Sequence, residues 1–269
     1  MVLDNITKVE RGRDVRLNIL IYGLTDAGKT RLLGSAQRCK ATSPSLLLDV
    51  DGGTQTLAGS AIDIFRPQSF SEIQDAYNFL RYENKTYKSV GIDSLTEIQR
   101  KLSMGEIIGT LTEGAGYDNL AEHIPPTRYD WLQSGEQMRR FIRAFRELAY
   151  LPDKKRRIHV IFGALEKYDE NRRIVCPSLP GLLGLEVGAS VDIMGRLSVE
   201  EVDVGKGEEE DLEEYRLLTM KESVDEDEIK YLGRARVPLN SEFPKEIWQP
   251  TMSKMVKLWT TRTKKRRRT

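Results

Sequence analysis

One segment of the chain reads Gly23-Leu24-Thr25-Asp26-Ala27-Gly28-Lys29-Thr30 and carries every fixed position of the pattern G-x-x-x-x-G-K-[ST]. The apolar run 17–22 before it predicts a buried strand, and the run 31–38 after it predicts a helix. A loop that ends on a helix N-terminus presents backbone N–H groups and the positive end of the helix dipole to a phosphate. The alternative is a glycine-rich turn without a ligand. Because both required flanks are present, the sequence favours a nucleotide site.

The residues of this loop have separate expected roles. Its glycines let the backbone pass close to the phosphates, and the Lys29 ammonium would reach the β- and γ-phosphate oxygens during catalysis. The Thr30 hydroxyl would bind Mg²⁺. We therefore expect ATP and Mg²⁺ as cofactors. The residues expected to bind ATP are Gly23, Leu24, Thr25, Asp26, Ala27, Gly28, Lys29, Thr30 and Arg31.

The length and composition favour one large α/β domain. The chain has 269 residues, 39% of them hydrophobic, which is enough to bury a full core. We expect this core over residues 17–240, after a lead-in of residues 1–16. A helical segment, 241–261, and a basic tail, 262–269, would follow it.

Charge is balanced in total but uneven along the chain. The 42 Lys and Arg residues oppose 41 Asp and Glu residues, so the net charge of +1 indicates neither nucleic acid nor a membrane as a partner. Residues 200–228 are strongly acidic. The tail, in contrast, holds five consecutive cations, Lys264, Lys265, Arg266, Arg267 and Arg268.

Several kinds of site are not indicated by the sequence. Cys39 and Cys176 are far apart and form no C-x-x-C pattern, so neither a disulfide framework nor a structural metal is expected. His123 and His159 form no metal or catalytic-triad pattern. The chain has no apolar run near the ~18 residues of a membrane span and no signal-peptide pattern at its start. We expect a cytoplasmic protein that does not contact a membrane.

Strand and helix patterns alternate through most of the chain. Apolar runs predict strands over 46–51, 61–65, 88–93 and 158–163, and helical spacing predicts helices near 69–80, 95–108 and 130–150. Residues 191–204, 215–220 and 229–237 read as antiparallel strands, and 251–259 as a final helix. The fold class is therefore α/β, with a mostly parallel central sheet flanked by helices and a C-terminal antiparallel extension.

Two strand-end carboxylates are candidates for the chemistry of the site. Asp93 ends an apolar strand where a carboxylate that orients Mg²⁺ is expected. Ser94 follows it, so the carboxylate that activates water must come from elsewhere, and Asp51 is the natural candidate. The alternative is that Asp49 and Asp51 are ordinary polar residues at a strand end. A GTPase is disfavoured because no N-K-x-D pattern follows the loop.

With these motifs the chain resembles the RecA-like ATPases, most closely the phage-encoded RecA-like proteins of the single-strand annealing type. The resemblance covers about Leu17 to Val237. Its marks are Tyr22, Asp49-Val50-Asp51-Gly52-Gly53, Ile92-Asp93-Ser94-Leu95-Thr96-Glu97, Tyr129-Asp130, His159 to Lys167, Pro177-Ser178-Leu179-Pro180-Gly181 and Tyr231 to Arg236. The chain departs from the family at Asp51, where Glu is usual, and at Leu165, where a polar sensor is common.

The resemblance implies a RecA-like fold, ATP hydrolysis, single-stranded DNA binding and annealing in recombination. It also implies self-association into a filament or ring, and a single-strand-binding protein as a further partner. By resemblance, Arg234 and Arg236 would be catalytic residues that reach the ATP of an adjacent subunit. The alternative for this pair is a solvated strand edge.

Two loops and the tail are candidates for contact with DNA. Residues 110–127 form one loop, and residues 166–182 form the other. The second carries Lys167, Tyr168, Arg172 and Arg173, which combine cations with an aromatic ring that could stack on a base. A solvated turn is the alternative. The cations Lys264 to Arg268 would add salt-sensitive affinity, although a solubilising tail or a nuclear-localisation signal has the same composition.

Two other functions fit the phosphate loop. One is a phosphoryl-transfer kinase for a small acceptor, which would need arginines in a lid over that acceptor and would act as a monomer. The other is a nucleotide-gated assembly factor or helicase loader with slow ATP hydrolysis. Stimulation of ATPase activity by single strands, measured beside acceptor phosphorylation, separates the three.

Overall fold

The computed structural model describes residues 16–109, 125–204, 212–237 and 243–260. Its strands are β1 (Asn18–Gly23), β2 (Ser45–Asp49), β3 (Asp63–Phe65), β4 (Ser89–Asp93), β5 (His159–Asp169), β6 (Ile174–Pro177), β7 (Ile193–Asp203), β8 (Leu212–Thr219), β9 (Ser223–Val224), β10 (Lys230–Tyr231), β11 (Arg234–Ala235) and β12 (Glu246–Trp248). Its helices are α1 (Lys29–Gly34), α2 (Phe70–Asn78), α3 (Leu95–Glu97), α4 (Met104–Ile107), α5 (Arg128–Glu147), α6 (Leu183–Glu186) and α7 (Met252–Thr260).

The central sheet has the strand order β12-β8-β7-β1-β5-β4-β2-β3. The pairs from β7 through β1, β5, β4 and β2 to β3 are all parallel, while β8, β11 and β12 pair antiparallel. The expected mostly parallel sheet with an antiparallel C-terminal extension is confirmed. In this sheet β5 lies between β1, the phosphate-loop strand, and β4, the strand that ends in Asp93.

Strand β1 is buried along its whole length because both faces of the sheet are covered. Its side chains alternate between the two cores, with Leu20 and Tyr22 on one side and Ile19 and Ile21 on the other. Helix α5 packs into the first core, and α1 and α7 pack into the second. This packing fixes the end of β1, where the phosphate loop begins.

The structure differs from the expected elements in three places. The segment after residue 163 is not a loop, because β5 continues to Asp169 and forms a hairpin with β6. Pairing between these two strands stabilises an extended backbone even though the segment is polar. Residues 229–237 form two short strands, interrupted at Gly233, where a Cβ atom would lie 2.6 Å from the Lys221 backbone. They were expected to be antiparallel, but β10 pairs in parallel with β6 as well as antiparallel with β9. The helix over 95–108 includes a π-helical segment, 98–103.

The C-terminal segment joins the same sheet and the same core. Strand β12 pairs with β8, so the sheet includes residues beyond 240. Helix α7 buries Met252 and Met255, and the Met252 backbone N–H donates to the Ser35 hydroxyl just after α1. The end of the described chain is therefore attached next to the helix that follows the phosphate loop.

Candidate nucleotide site

A cleft of about 590 Å³ opens at the carboxyl ends of the parallel strands. The residues that line it are Thr25, Asp26, Gly28, Lys29, Thr30, Arg31, Asp51, Gly53, Thr56, Asp93, Glu97, Leu165 and Arg216. The structure thus brings most of the expected phosphate-loop residues together with both expected carboxylates. Of the remaining loop residues, Gly23 ends β1, Ala27 is buried and Leu24 is exposed.

The Lys29 ammonium is held against its own loop. Its Nζ donates to the Gly23 carbonyl over 3.1 Å and to the Leu24 carbonyl over 2.6 Å. Burial lowers the pKa of Lys29, and the carboxylates of Asp93 and Asp51 oppose that shift. Because a buried cation gains from a nearby anion, the position favours a bound phosphate.

Thr30 and Asp93 form a direct contact on the floor of the cleft. The Thr30 hydroxyl donates to Asp93 Oδ2 over 2.5 Å, while Asp93 Oδ1 is buried with no hydrogen-bond partner among the described residues. Burial raises the pKa of Asp93 to about 6, and the Thr30 hydrogen bond opposes this shift. An orphaned carboxylate oxygen beside a hydroxyl fits Mg²⁺, which takes one or two carboxylates together with substrate phosphates.

Asp49 and Asp51 have different surroundings although they follow each other closely. Asp49 is buried and accepts hydrogen bonds from Gly52 N, Thr54 Oγ1 and Arg66 Nε, so its role is structural. Asp51 lines the cleft, and its Oδ1 accepts a hydrogen bond from the Ser94 hydroxyl over 3.0 Å. Burial raises the pKa of Asp51. Only Asp51 of the two therefore faces the ligand space.

Leu165 lies at the wall of the cleft, near the end of the parallel part of β5. Its backbone N–H donates to the Thr96 hydroxyl over 3.0 Å, and that hydroxyl donates to the Ser178 carbonyl over 3.1 Å. The motif that begins at Pro177 thus packs against α3 beside the site. A leucine side chain offers no hydrogen bond to a phosphate at this point.

Arg216 is a cleft residue that the sequence analysis missed. It lies on β8, and its Nε atom is 3.1 Å from the position that a Cβ atom on Gly28 would take. No local pattern marks it, because an arginine within an antiparallel strand is typical of a solvated face. The feature that would have identified Arg216 is the pairing register of β7 with β8, because this register brings β8 over the phosphate loop.

Arg234 and Arg236 do not line this cleft within their own chain. Arg234 is exposed on β11, which pairs with β7 at Met194. The Arg236 guanidinium donates a hydrogen bond to the Ala189 carbonyl. Both arginines therefore lie outside the cleft that the phosphate-loop residues line in their own chain. A role at the ATP of a neighbouring subunit stays a prediction.

The cations expected to bind DNA lie on the β5–β6 hairpin and are held by partners. Lys167 Nζ donates to the Leu179 carbonyl over 2.5 Å, and Arg172 pairs with Asp169 over 2.7 Å. Arg173 lies 3.7 Å from the Glu228 carboxylate. Tyr168, in contrast, is 46% exposed. The hairpin therefore presents an aromatic ring among paired charges.

The other candidate DNA-binding residues lie outside the described residues. These are most of the loop 110–127 and the tail cations Lys264, Lys265, Arg266, Arg267 and Arg268. Within the described ranges, no helix is long and apolar enough to cross a membrane. The same ranges hold no cluster of three or more His, Cys, Asp or Glu side chains suited to a metal. A cation in the cleft would therefore depend on Thr30, Asp93 and the phosphates of the ligand.

Comparisons with known proteins concern both fold and family. The crystal structure of the RadB recombinase is similar to this chain with a TM-score of 0.37 and 14% sequence identity, over 76% of this chain and 79% of that one. No curated protein matches the chain in sequence. The family described as AAA domain matches residues 16–225, which is most of the chain and includes the phosphate loop, Asp51 and Asp93. The chain therefore belongs to the AAA domain family.

Proposed function

We propose that the protein binds and hydrolyses MgATP in this cleft and acts in DNA recombination, where it binds single-stranded DNA and promotes annealing. The observation that carries the ATP site is the contact between Thr30 and Asp93 beneath a complete phosphate loop. Membership of the AAA domain family supports nucleotide binding. The DNA role is supported by the resemblance of the sequence motifs to RecA-like proteins.

The binding step uses the loop and its lysine. Backbone N–H groups at the start of α1 would hold phosphate oxygens, and the Lys29 ammonium would exchange its carbonyl partners for them. Mg²⁺, when bound, would neutralise charge on the β- and γ-phosphates. Asp93 Oδ1 and the Thr30 hydroxyl are the protein atoms suited to hold it.

The hydrolysis step needs a base for the attacking water. Asp51 is suited to this role because the Ser94 hydroxyl orients its carboxylate and burial raises its pKa, which brings it nearer to the range of an effective general base. An aspartate is one methylene shorter than the glutamate that is usual at this position in the RecA-like ATPases. We therefore expect slow turnover in the absence of DNA.

Substitution of the loop lysine tests the ATP site. Lys29→Ala should abolish nucleotide binding or turnover, as measured with a fluorescent ATP analogue and by phosphate release. Lys85→Ala, which removes an exposed lysine away from the cleft, is the matched control and should behave as the parent. Unchanged ATP affinity and hydrolysis in a folded Lys29→Ala protein would refute the proposal.

A second measurement separates this function from its rivals. Phosphate release should rise when single-stranded DNA is added, and no small acceptor should become phosphorylated. Acceptor phosphorylation by a monomer would favour a kinase. ATP binding with slow turnover, unaffected by DNA, would favour an assembly factor or helicase loader.

A further inference from the structure

Arg216 enters the cleft from the flank opposite Asp93. Strands β7 and β8 lie on one side of β1, and β5 and β4 lie on the other. Asp93 ends β4, whereas Arg216 extends from β8 toward Gly28 of the phosphate loop. The loop therefore has carboxylates on one side and a guanidinium on the other.

The Arg216 guanidinium has an unused donor. Its Nε atom is buried and has no hydrogen-bond partner, and Arg216 forms no ion pair within the described part of the chain. Arg196, which is also half-buried, is in contrast paired with Glu166. A buried guanidinium N–H without a partner costs free energy, and an anion in the cleft would remove that cost.

The backbone around Arg216 is held on two sides. In the sheet Arg216 pairs with Val199 of β7, and its carbonyl accepts a hydrogen bond from the Gln249 N–H over 2.7 Å. Gln249 follows β12, which also pairs with β8. A side chain on such a fixed strand is placed more accurately than one on a loop.

We propose that Arg216 binds the α- and β-phosphates, which remain on the nucleotide after hydrolysis, and so determines nucleotide affinity. The nucleotide it contacts is the one bound by its own chain. This inference rests on the proposed ATP site. Asp51 and Asp93, the carboxylates suited to the transferred phosphate, follow β2 and β4, which lie on the other side of β1 from β8. Guanidinium groups bind phosphate oxygens with directed, charge-assisted hydrogen bonds. Arg216 is thus a binding residue for both ATP and ADP.

The test measures the affinity of MgATP and of MgADP for the full-length parent, Arg216→Gln and Arg216→Lys. We expect Arg216→Gln to weaken both affinities by about tenfold, as one lost charge-assisted hydrogen bond would. Turnover at saturating ATP should stay within about threefold of the parent, because affinity and not the transition state is affected. Arg140→Gln removes an exposed arginine on α5 and should change neither affinity.

The outcomes separate this inference from the proposed function. Unchanged affinities, a loss confined to ATP, or a loss of turnover at saturation would each overturn the role of Arg216. A parent protein that binds neither nucleotide would overturn the ATP site itself. If thermal denaturation shows that Arg216→Gln does not fold, Arg216→Lys tests the proposal instead. A lysine keeps the positive charge but lacks the planar set of donors of a guanidinium, so Arg216→Lys should bind both nucleotides more weakly.

Discussion

The Arg196 guanidinium donates two hydrogen bonds to the Glu166 carboxylate, from Nε to Oε2 over 2.9 Å and from Nη2 to Oε1 over 3.2 Å. The same guanidinium lies over the Tyr231 ring, 4.4 Å from its centroid. Glu166 follows Leu165 of the cleft, yet both of its oxygens are engaged. Glu166 is therefore a structural residue that joins β5 to β7, and Asp51 remains the better candidate to activate water.

We predict that Asp51→Asn retains ATP but loses turnover. Loss of a general base lowers the rate by roughly 10² to 10⁴. Glu166→Gln should instead lower the thermal stability, because it leaves Arg196 with a weaker partner. Phosphate release, nucleotide affinity and thermal denaturation measured on both variants check this. If Asp51→Asn hydrolyses at the parent rate while Asp93→Asn does not, the water-activating role must be reassigned, with Glu97 next in line.

We predict that Arg234 and Arg236 complete the site of a neighbouring subunit. Arginines supplied in trans contribute about 10³ to 10⁵ in rate, so Arg234→Ala and Arg236→Ala should each be severely impaired. A Lys29→Ala subunit keeps its arginines, so mixing it with Arg236→Ala should restore phosphate release. Arg236 would have to leave its contact with Ala189 to reach a partner.

The mixing experiment has a clear contrary result. No recovery of activity, together with a monomer by light scattering in the presence of ATP, would refute shared sites. A mixture of Lys29→Ala with Arg140→Gln is the matched control, since Arg140 is an exposed arginine in an ion pair on α5. That mixture should show only the activity of its Arg140→Gln subunits.

Local sequence was sufficient to predict the phosphate loop and the two strand-end carboxylates of the cleft. The phosphate loop lies between β1 and α1 as expected, and Asp51 and Asp93 meet in one cleft because parallel strands end at the same edge of a sheet. The cap at the N-terminus of α2 likewise depends only on residues close together in the sequence. Ser69 accepts a hydrogen bond from Glu72 N at the start of α2, as its spacing indicates.

The rest depended on pairing between distant segments. Arg216 reaches the cleft only because β8 pairs with β7, and no periodicity of its own strand shows this. The polar residues after Leu165 suggest a loop, but pairing with β6 makes them a hairpin. Pairing of β6 with β10 brings Arg173 near Glu228, which reduces the unpaired positive charge that the sequence suggests for this segment.

We predict that the buried His159 makes the free energy of unfolding decrease as the pH is lowered. It is buried, its Nδ1 accepts a hydrogen bond from Leu17 N over 3.1 Å, and burial lowers its pKa to about 3. The unfolded histidine titrates near pH ~6.5, so between these values the unfolded chain binds more protons. This contribution is fully present above pH ~6.5 and decreases by roughly 2 kcal/mol at pH ~5.

Urea unfolding at a series of pH values from neutral to mildly acidic checks this effect. His159→Gln cannot gain the proton, so its free energy of unfolding should fall less steeply than that of the parent. Asp93 acts in the opposite direction, because its raised pKa of about 6 contributes stability at low pH that is lost as pH rises through that value. It does so in both proteins, so equal slopes would show that His159 is not the cause.

We predict that the basic tail adds salt-sensitive affinity for single-stranded DNA. Removing residues 262–269 should lower the affinity and flatten its salt dependence, by a slope of about 0.7 for each phosphate no longer neutralised. Stimulation of ATP hydrolysis by DNA should remain, because these cations would release counterions without positioning bases. Fluorescence anisotropy with a labelled oligonucleotide over a salt series measures the slope, and an unchanged slope would contradict the prediction.

The β5–β6 hairpin should contribute to DNA binding through its ring and not through its charge. Arg172 and Arg173 are near Asp169 and Glu228, whereas Tyr168 is exposed, so Tyr168→Ala should lose a stacking contact of roughly 1 to 3 kcal/mol with little change in salt slope. Tyr82→Ala removes another exposed ring, in the segment between α2 and β4, and should bind as the parent does. Failure of the parent to bind the oligonucleotide at low salt with ATP would exclude recombination and leave the kinase or assembly factor as the function.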